Sequence, residues 1–267
     1  MSISIDSAAA AAMSSSVAAG LAVASAGALT LGYGMFVPRS QLLCPVISRG
    51  HARAGPRVAL TFDDGPWPGS TDVILDILRQ KDVKAAFFVI GRYVRQWPDL
   101  VRRMHDEGHL IGNHTFDHHR WGLFRGKRYW LDQLARTDEA IAEITGAPTR
   151  LFRAPMGFKS PPLARAARQS DKTIIAWSRR SYDGVRSKPD RIVRALEGRV
   201  KAGDIVLMHD GRDPASRRDA APTARALPRV IDNLGAQGLN LARLDELIGG
   251  CGVSVSNSTG PPRQHPQ

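Results

Sequence analysis

Alternating short apolar runs and amphipathic stretches between residues 56 and 248 predict an α/β protein built as a (β/α) barrel. Three observations support this. Strand-like and helix-like segments alternate, as in a mostly parallel sheet with helical crossovers. Every residue suited to chemistry falls at or beyond the C-terminal end of a strand-like run, where barrel enzymes assemble their sites. Those residues follow five different strands, whereas an open doubly wound sheet concentrates its site at one switch point. A barrel of seven or eight strands fits that spread.

In chain order, the strand-like runs are 57–62, 84–90, 109–112, 149–153, 172–178, 204–208 and 239–242. A first helix is expected over 73–80, with Ser70, Thr71 and Asp72 as caps and Val73, Ile74, Ile77 and Leu78 at helical spacing. The segment 98–107 buries Leu100, Val101 and Met104, and Gly108 stops it. The segment 130–145 sets Leu131, Leu134, Ile141 and Ile144 on one side and ends before Gly146. Segments 189–201 and 222–237 complete the series.

The 267 residues are 43% hydrophobic, enough for a full core in one or two domains. The formal charge is +12, from 30 Arg and 7 Lys against 25 acidic residues. These cations are scattered, with no dense basic stripe or known nucleic-acid module, so no nucleic-acid partner is expected. A solvated arginine-rich surface or a preference for anionic envelope polymers remains. Cys44 and Cys251 provide neither a disulfide framework nor a CxxC site, so two free thiols are the expectation.

Residues 1–40 carry one charge, Asp6, before Arg39 and are rich in Ala, Ser and Gly. The uncharged run 17–37 has the length of a membrane span but little transfer energy. It reads as an anchor or uncleaved signal, with a low-complexity tail as the competing reading. A cell-envelope or membrane-associated location follows, with the cytoplasm as alternative. The organisation is then 1–40 anchor or signal, 41–55 linker, 56–248 catalytic domain and 249–267 disordered tail.

The chemistry begins at Asp63-Asp64-Gly65-Pro66, a plain turn in composition but one that closes an apolar strand. Two like charges at a buried strand end need a metal or an Arg beside them. His114 and His118 stand four apart and share one side if their segment is a helical turn. Asp64 with these two histidines makes a three-ligand set for a divalent metal, leaving a position open for water. Asp63 is left over to take a proton from that water. Arg153 ends the fourth strand, where it is either a surface charge or a partner that keeps Asp63 ionised. The following Pro155-Met156-Gly157 can present the Met156 backbone N–H to an oxyanion. His209 ends an apolar strand, as a satisfied core histidine or as proton donor to a leaving amine. Trp67, Trp121, Phe158 and Trp177 stand near strand ends as sugar platforms, with core packing as the competing role.

Taken together, these segments resemble the polysaccharide deacetylases of carbohydrate esterase family 4, the group that includes chitooligosaccharide deacetylases. The resemblance covers residues 56–248 in the family's order; the Asp-Asp and His-x-x-x-His segments carry most of its specificity. It implies a distorted (β/α) barrel and removal of N-acetyl groups from GlcNAc-type sugars. It also implies Asp63 as base, Asp64, His114 and His118 as metal ligands, Arg153 orienting the base and His209 as acid, tuned by Asp183. Two positions depart from the family pattern. Met156 stands where an aromatic is common, and Gly184, after Asp183, replaces a Trp.

The expected activity is metal-dependent, most simply zinc-dependent, deacetylation of an N-acetylated amino-sugar oligomer or polymer by a monomer. Three alternatives remain: deformylation or deacylation of a lipid-linked amino sugar, a catalytically weak carbohydrate-binding relative, and a non-haem iron oxygenase. The last also uses two histidines and a carboxylate, but the spare base, the acid and the strand–helix alternation weigh against it.

Overall fold

The computed structural model describes residues 5–51, 54–185, 188–214 and 221–249, with side chains from residue 21 onward. The strands are β1 Arg57–Asp63, β2 Ala86–Val89, β3 Leu110–Asn113, β4 Leu151–Phe152, β5 Thr173–Ile174, β6 Arg179–Arg180, β7 Ile205–His209 and β8 Asn240–Leu241. All pairings between them are parallel, in the order β5-β4-β3-β2-β1-β7-β6, with β8 beside the start of β1. The sheet curls into the expected distorted (β/α) barrel.

Helix α1 spans Ile5–Phe36, and α2 Thr71–Gln80, α3 Gly91–Gln96 and α4 Pro98–Asp106 follow. The remainder are α5 Lys127–Thr145, α6 Pro161–Gln169, α7 Pro189–Leu196, α8 Ala221–Ala236 and α9 Leu244–Leu247. Strand alternation separates two packing layers. Val58, Leu60 and Phe62 of β1 join Ile74, Leu78, Ile192 and Leu227 in the layer beneath the helices. Ala59, between them, packs instead with Phe88, Phe152, Trp177 and Leu207. Fully burying each large apolar side chain contributes about 1.5–3 kcal/mol.

One expected strand is divided. Of the run 172–178, Thr173–Ile174 pairs with β4 at one sheet edge, whereas the pairing with β7 at the other edge is made just beyond it, by Arg179–Arg180. The intervening Ile175, Ala176 and Trp177 are buried as the chain crosses the seam. Residues expected to be a linker help to close that seam. Ile47 bridges Ile175, Arg49 bridges Asp204, and Gly50 N–H donates to the Gly203 carbonyl at 2.7 Å. Part of 41–55 is therefore barrel edge.

The end of the N-terminal segment also touches the barrel. Lys159 donates its backbone N–H to Met35 O and its Nζ to the carbonyls of Val37 and Pro38. Among the described residues no helix is long and apolar enough to cross a membrane. Cys44 is a free thiol; Cys251 and residues 250–267, expected to be a disordered tail, lie outside the described residues.

Candidate active site

Consecutive residues of an extended strand point to opposite faces, so adjacent Asp63 and Asp64 need a break in the strand to share a pocket. Asp64 supplies it with a left-handed φ of 75°. The turn is held against β7, where the Asp210 N–H donates to Asp63 O at 3.1 Å. The approach is so close that a Cβ on Gly65 would collide with the Asp210 carboxylate, and one on Gly211 with the Asp64 backbone. These two glycines are steric requirements of the site.

His114 follows β3 directly. The expected helical turn between His114 and His118 is not formed: Thr115 and His118 adopt φ values of 69° and 50°. A pinned loop brings the imidazoles together instead. Thr115 N–H donates to Asn113 Oδ1, and Gln133 Oε1 on α5 accepts from the N–H groups of Phe116 and Asp117. The His114 and His118 ring centroids lie 4.9 Å apart. Among the described residues, five of the seven non-glycine positions with positive φ, Asp64, Thr115, His118, Met156 and Tyr182, lie on the segments that carry the site. Strained backbone is characteristic of functional positions.

Asp64, His114 and His118 are all buried, with ligand atoms within 4.8 Å of one another. Asp64 Oδ1 is 3.5 Å from His114 Nε2 and 3.3 Å from His118 Nε2. His114 Nδ1 donates to the Arg153 carbonyl at 2.7 Å, which leaves a lone pair on Nε2 facing a carboxylate oxygen. Asp64 Oδ1 is buried with no hydrogen-bond partner among the described residues. Lone pairs converging on an unpaired oxygen fit a divalent cation with nitrogen and oxygen ligands. Burial opposes ionisation of Asp64, but His118, His114 and His209 outweigh it and hold its carboxyl well below the usual range.

Asp63 stays outside this set. Arg153, completely buried, donates from Nη1 to Asp63 Oδ1 at 2.6 Å and to Thr61 Oγ1 at 2.9 Å. Its Nε and Nη2 donate to the carbonyls of Ile175 and Ala176, and its guanidinium lies 4.0 Å from the Phe88 ring centroid. The surface-charge reading of Arg153 is thereby excluded.

His209 pairs with Asp63 across the β1–β7 ladder. Its Nδ1 donates to Asp183 Oδ1 and its backbone N–H to Asp183 Oδ2, both at 2.7 Å, and Thr223 adds a third donor. Burial disfavours the charged imidazole, but Asp183, with smaller help from Asp64 and Asp63, pushes its pKa up to about 10. Gly184 lies beside this ring: a Cβ there would sit 3.4 Å from His209 Cε1. The glycine leaves that flank of His209 uncovered.

Met156 has a left-handed φ of 58° and a half-exposed side chain, and its N–H donates to no carbonyl among the described residues. Trp177 is largely buried, with its ring centroid 5.7 Å from the Arg153 guanidinium carbon. Of the other aromatics, Trp67 packs against Tyr93 and Trp97, and Phe158 against Phe36. Trp121 is 69% exposed and stacks on Phe124.

Two neighbours carried no recognisable sequence signal. Asp213 Oδ1 is 3.4 Å from His118 Nδ1, and its other oxygen accepts from Arg120. Asp210 is buried beneath the Asp64 turn, where Thr71 Oγ1 donates to it at 2.7 Å. Burial, with repulsion from Asp64 and Asp63, pushes the Asp210 carboxyl up to about 7 against the opposing Thr71 bond.

The family model for polysaccharide deacetylase matches residues 51–175. A chitooligosaccharide deacetylase of Bradyrhizobium sp. (strain ANU 289) is 35% identical over 196 residues, covering 71% of this chain and 90% of the relative. The chain belongs to the polysaccharide deacetylase family. A peptidoglycan-N-acetylglucosamine deacetylase of Bacillus cereus is 33% identical over 193 residues, covering 72% of this deacetylase-family chain and 87% of the relative. The crystal structure of a peptidoglycan N-acetylglucosamine deacetylase superposes with a TM-score of 0.69 at 28% identity, covering 76% and 92% of the two chains. Within this fold Asp64 meets His114 and His118, Arg153 holds Asp63, and His209, held by Asp183, lies across the strand ladder from Asp63.

Proposed function

We propose that this protein removes N-acetyl groups from an amino-sugar glycan of chitooligosaccharide or peptidoglycan type, using zinc held by Asp64, His114 and His118. One observation carries the reading. A carboxylate outside the ligand set, Asp63, is fixed by buried Arg153, and an Asp-bound imidazole, His209, lies across the strand ladder from it. When bound, the metal polarises the acyl carbonyl and lowers the pKa of its water ligand toward ~7.

The chain's own groups supply the remainder. Asp63 accepts the proton of the attacking water, and Arg153 keeps the carboxylate ionised and aimed. The Met156 N–H, which donates to no carbonyl among the described residues, is available to an oxyanion. His209, held through Nδ1 by Asp183, delivers a proton from Nε2 to the departing amine. A free carbohydrate-binding role would need neither group. The expected products are acetate and a cationic amino sugar.

Acyl release by the zinc-loaded protein from chitooligosaccharides, peptidoglycan and a lipid-linked formylated amino sugar tests the proposal. Acetate from the first two supports it. Formate from the third alone would transfer the mechanism to a deformylase, and release from none would refute catalysis.

A further inference from the structure

Beside the catalytic pocket lies a recess of about 390 Å³ whose lining includes Trp177, Tyr182 and four arginines, Arg39, Arg179, Arg180 and Arg199. The arginines come from separate segments: the stretch after α1, strand β6 and the turn after α7. Arg179 is neutralised by Asp204, to which its Nε donates at 2.9 Å. Arg39, Arg180 and Arg199 make no ion pair with a carboxylate among the described residues, and no acidic residue is among those that line the recess. Three unpaired guanidinium groups around one concavity repel one another, and an anion relieves that repulsion.

The recess is coupled to the reacting groups through its own walls. Trp177 has Arg153 at 5.7 Å and Arg180 at 6.0 Å from its ring centroid, and Arg153 holds Asp63. Arg180 also lies 4.9 Å from the Tyr182 ring, and the next residue, Asp183, holds His209. A ligand spanning the pocket and the recess would therefore place its acyl group at Asp63 and another substituent among the arginines. Guanidinium groups favour planar or tetrahedral oxyanions.

Resting on the deacetylase reading, we propose that this recess is an anion subsite that selects glycans carrying an oxyanion, a carboxylate or a phosphomonoester, near the N-acyl sugar. The test measures binding to the zinc-loaded Asp63→Asn variant, which separates affinity from turnover. Three tetrasaccharides serve as probes: neutral chitotetraose, chitotetraose bearing a phosphomonoester, and a peptidoglycan tetrasaccharide with the N-acetylmuramic acid carboxylate. At least one anionic probe should bind about fivefold or more tighter than the neutral one at low ionic strength, with the advantage shrinking in salt. Adding Arg180→Glu and Arg199→Glu, both exposed, should lower the anionic-to-neutral affinity ratio by at least that factor. The preferred probe identifies the oxyanion. Equal binding of all three probes, or a ratio unmoved by charge reversal, overturns the subsite. Failure of the native enzyme to release acyl groups overturns the deacetylase reading and leaves this binding result to stand or fall alone.

Discussion

Arg153 donates to Asp63 at 2.6 Å, while its own carbonyl oxygen accepts from the metal-site histidine His114 at 2.7 Å. One buried residue thus aims the proposed base with its side chain and fixes a ligand tautomer with its backbone. Stripping one partner from a buried ion pair costs on the order of 3–5 kcal/mol. The pairing is expected to matter for folding as well as for turnover.

Asp63→Asn separates base from ligand. It preserves the shape of the side chain and removes its ability to take a proton, and Asp63 is outside the cation set. Zinc content by elemental analysis should stay at one per chain, while acetate release falls by about 10²–10⁴-fold. Undiminished acetate release would remove Asp63 from the mechanism.

His114→Ala removes a proposed ligand and the donor to Arg153 O. Bound zinc should fall well below stoichiometric after dialysis, and activity with it. Retention of full metal content would show that His114 is not a ligand.

Asp213→Asn tests support of the second histidine. The carboxylate lies 3.4 Å from His118 Nδ1, and loss of such a partner typically lowers metal affinity by about 10–100-fold. Competition with a chelator should reveal that loss. An unchanged zinc affinity would reduce Asp213 to an anchor for Arg120.

Much of this site was legible because its chemistry is local in sequence. The Asp63-Asp64 pair closes an unmistakable strand, and Leu207-Met208-His209 is a buried run ending in a titratable group. Asp213 and Gln133 were not legible, since a lone polar residue in a loop or on a helix carries no pattern to distinguish it. The His114–His118 spacing suggested a helix because four residues span a helical turn, yet two left-handed residues achieve the same convergence. The seam was hidden for another reason. Val46 and Ile47 form too short an apolar run for periodicity, and nothing in the apolar stretch 174–177 marks where the chain leaves one sheet edge for the pairing that Arg179–Arg180 make at the other.

The His209–Asp183 pair sets a pH dependence of stability. The folded-state pKa of His209 is raised to about 10, above the ordinary histidine value of about 6.5, so folding favours the protonated ring. The stabilisation is fully present below the unfolded pKa and is lost as pH rises through the folded one. The difference in urea midpoint between the metal-free protein and its His209→Gln variant should therefore shrink between about pH 6.5 and 10. A constant difference would show that the pair does not titrate in that window.

Truncation distinguishes a detachable leader from a structural strap. Residues 1–40 look separable in composition, but Lys159 donates three hydrogen bonds to the carbonyls of Met35, Val37 and Pro38, and Ser40 is buried. Gly157 abuts Pro38 and Trp177 so closely that a Cβ would not fit. Removing residues 1–33 leaves these contacts in place and should change the melting temperature little. Removing 1–40 strips the carbonyl partners from the buried Lys159 ammonium, at about 1–3 kcal/mol or more, and uncovers the wall that carries Trp177. Melting temperature and KM should both worsen for the longer deletion. Equal behaviour of the two truncations would return residues 34–40 to the role of a passive connector. Cell fractionation of the full chain and the 1–33 deletion then tests envelope association, because α1 exposes Leu21, Val23, Leu29 and Leu31 outside the barrel.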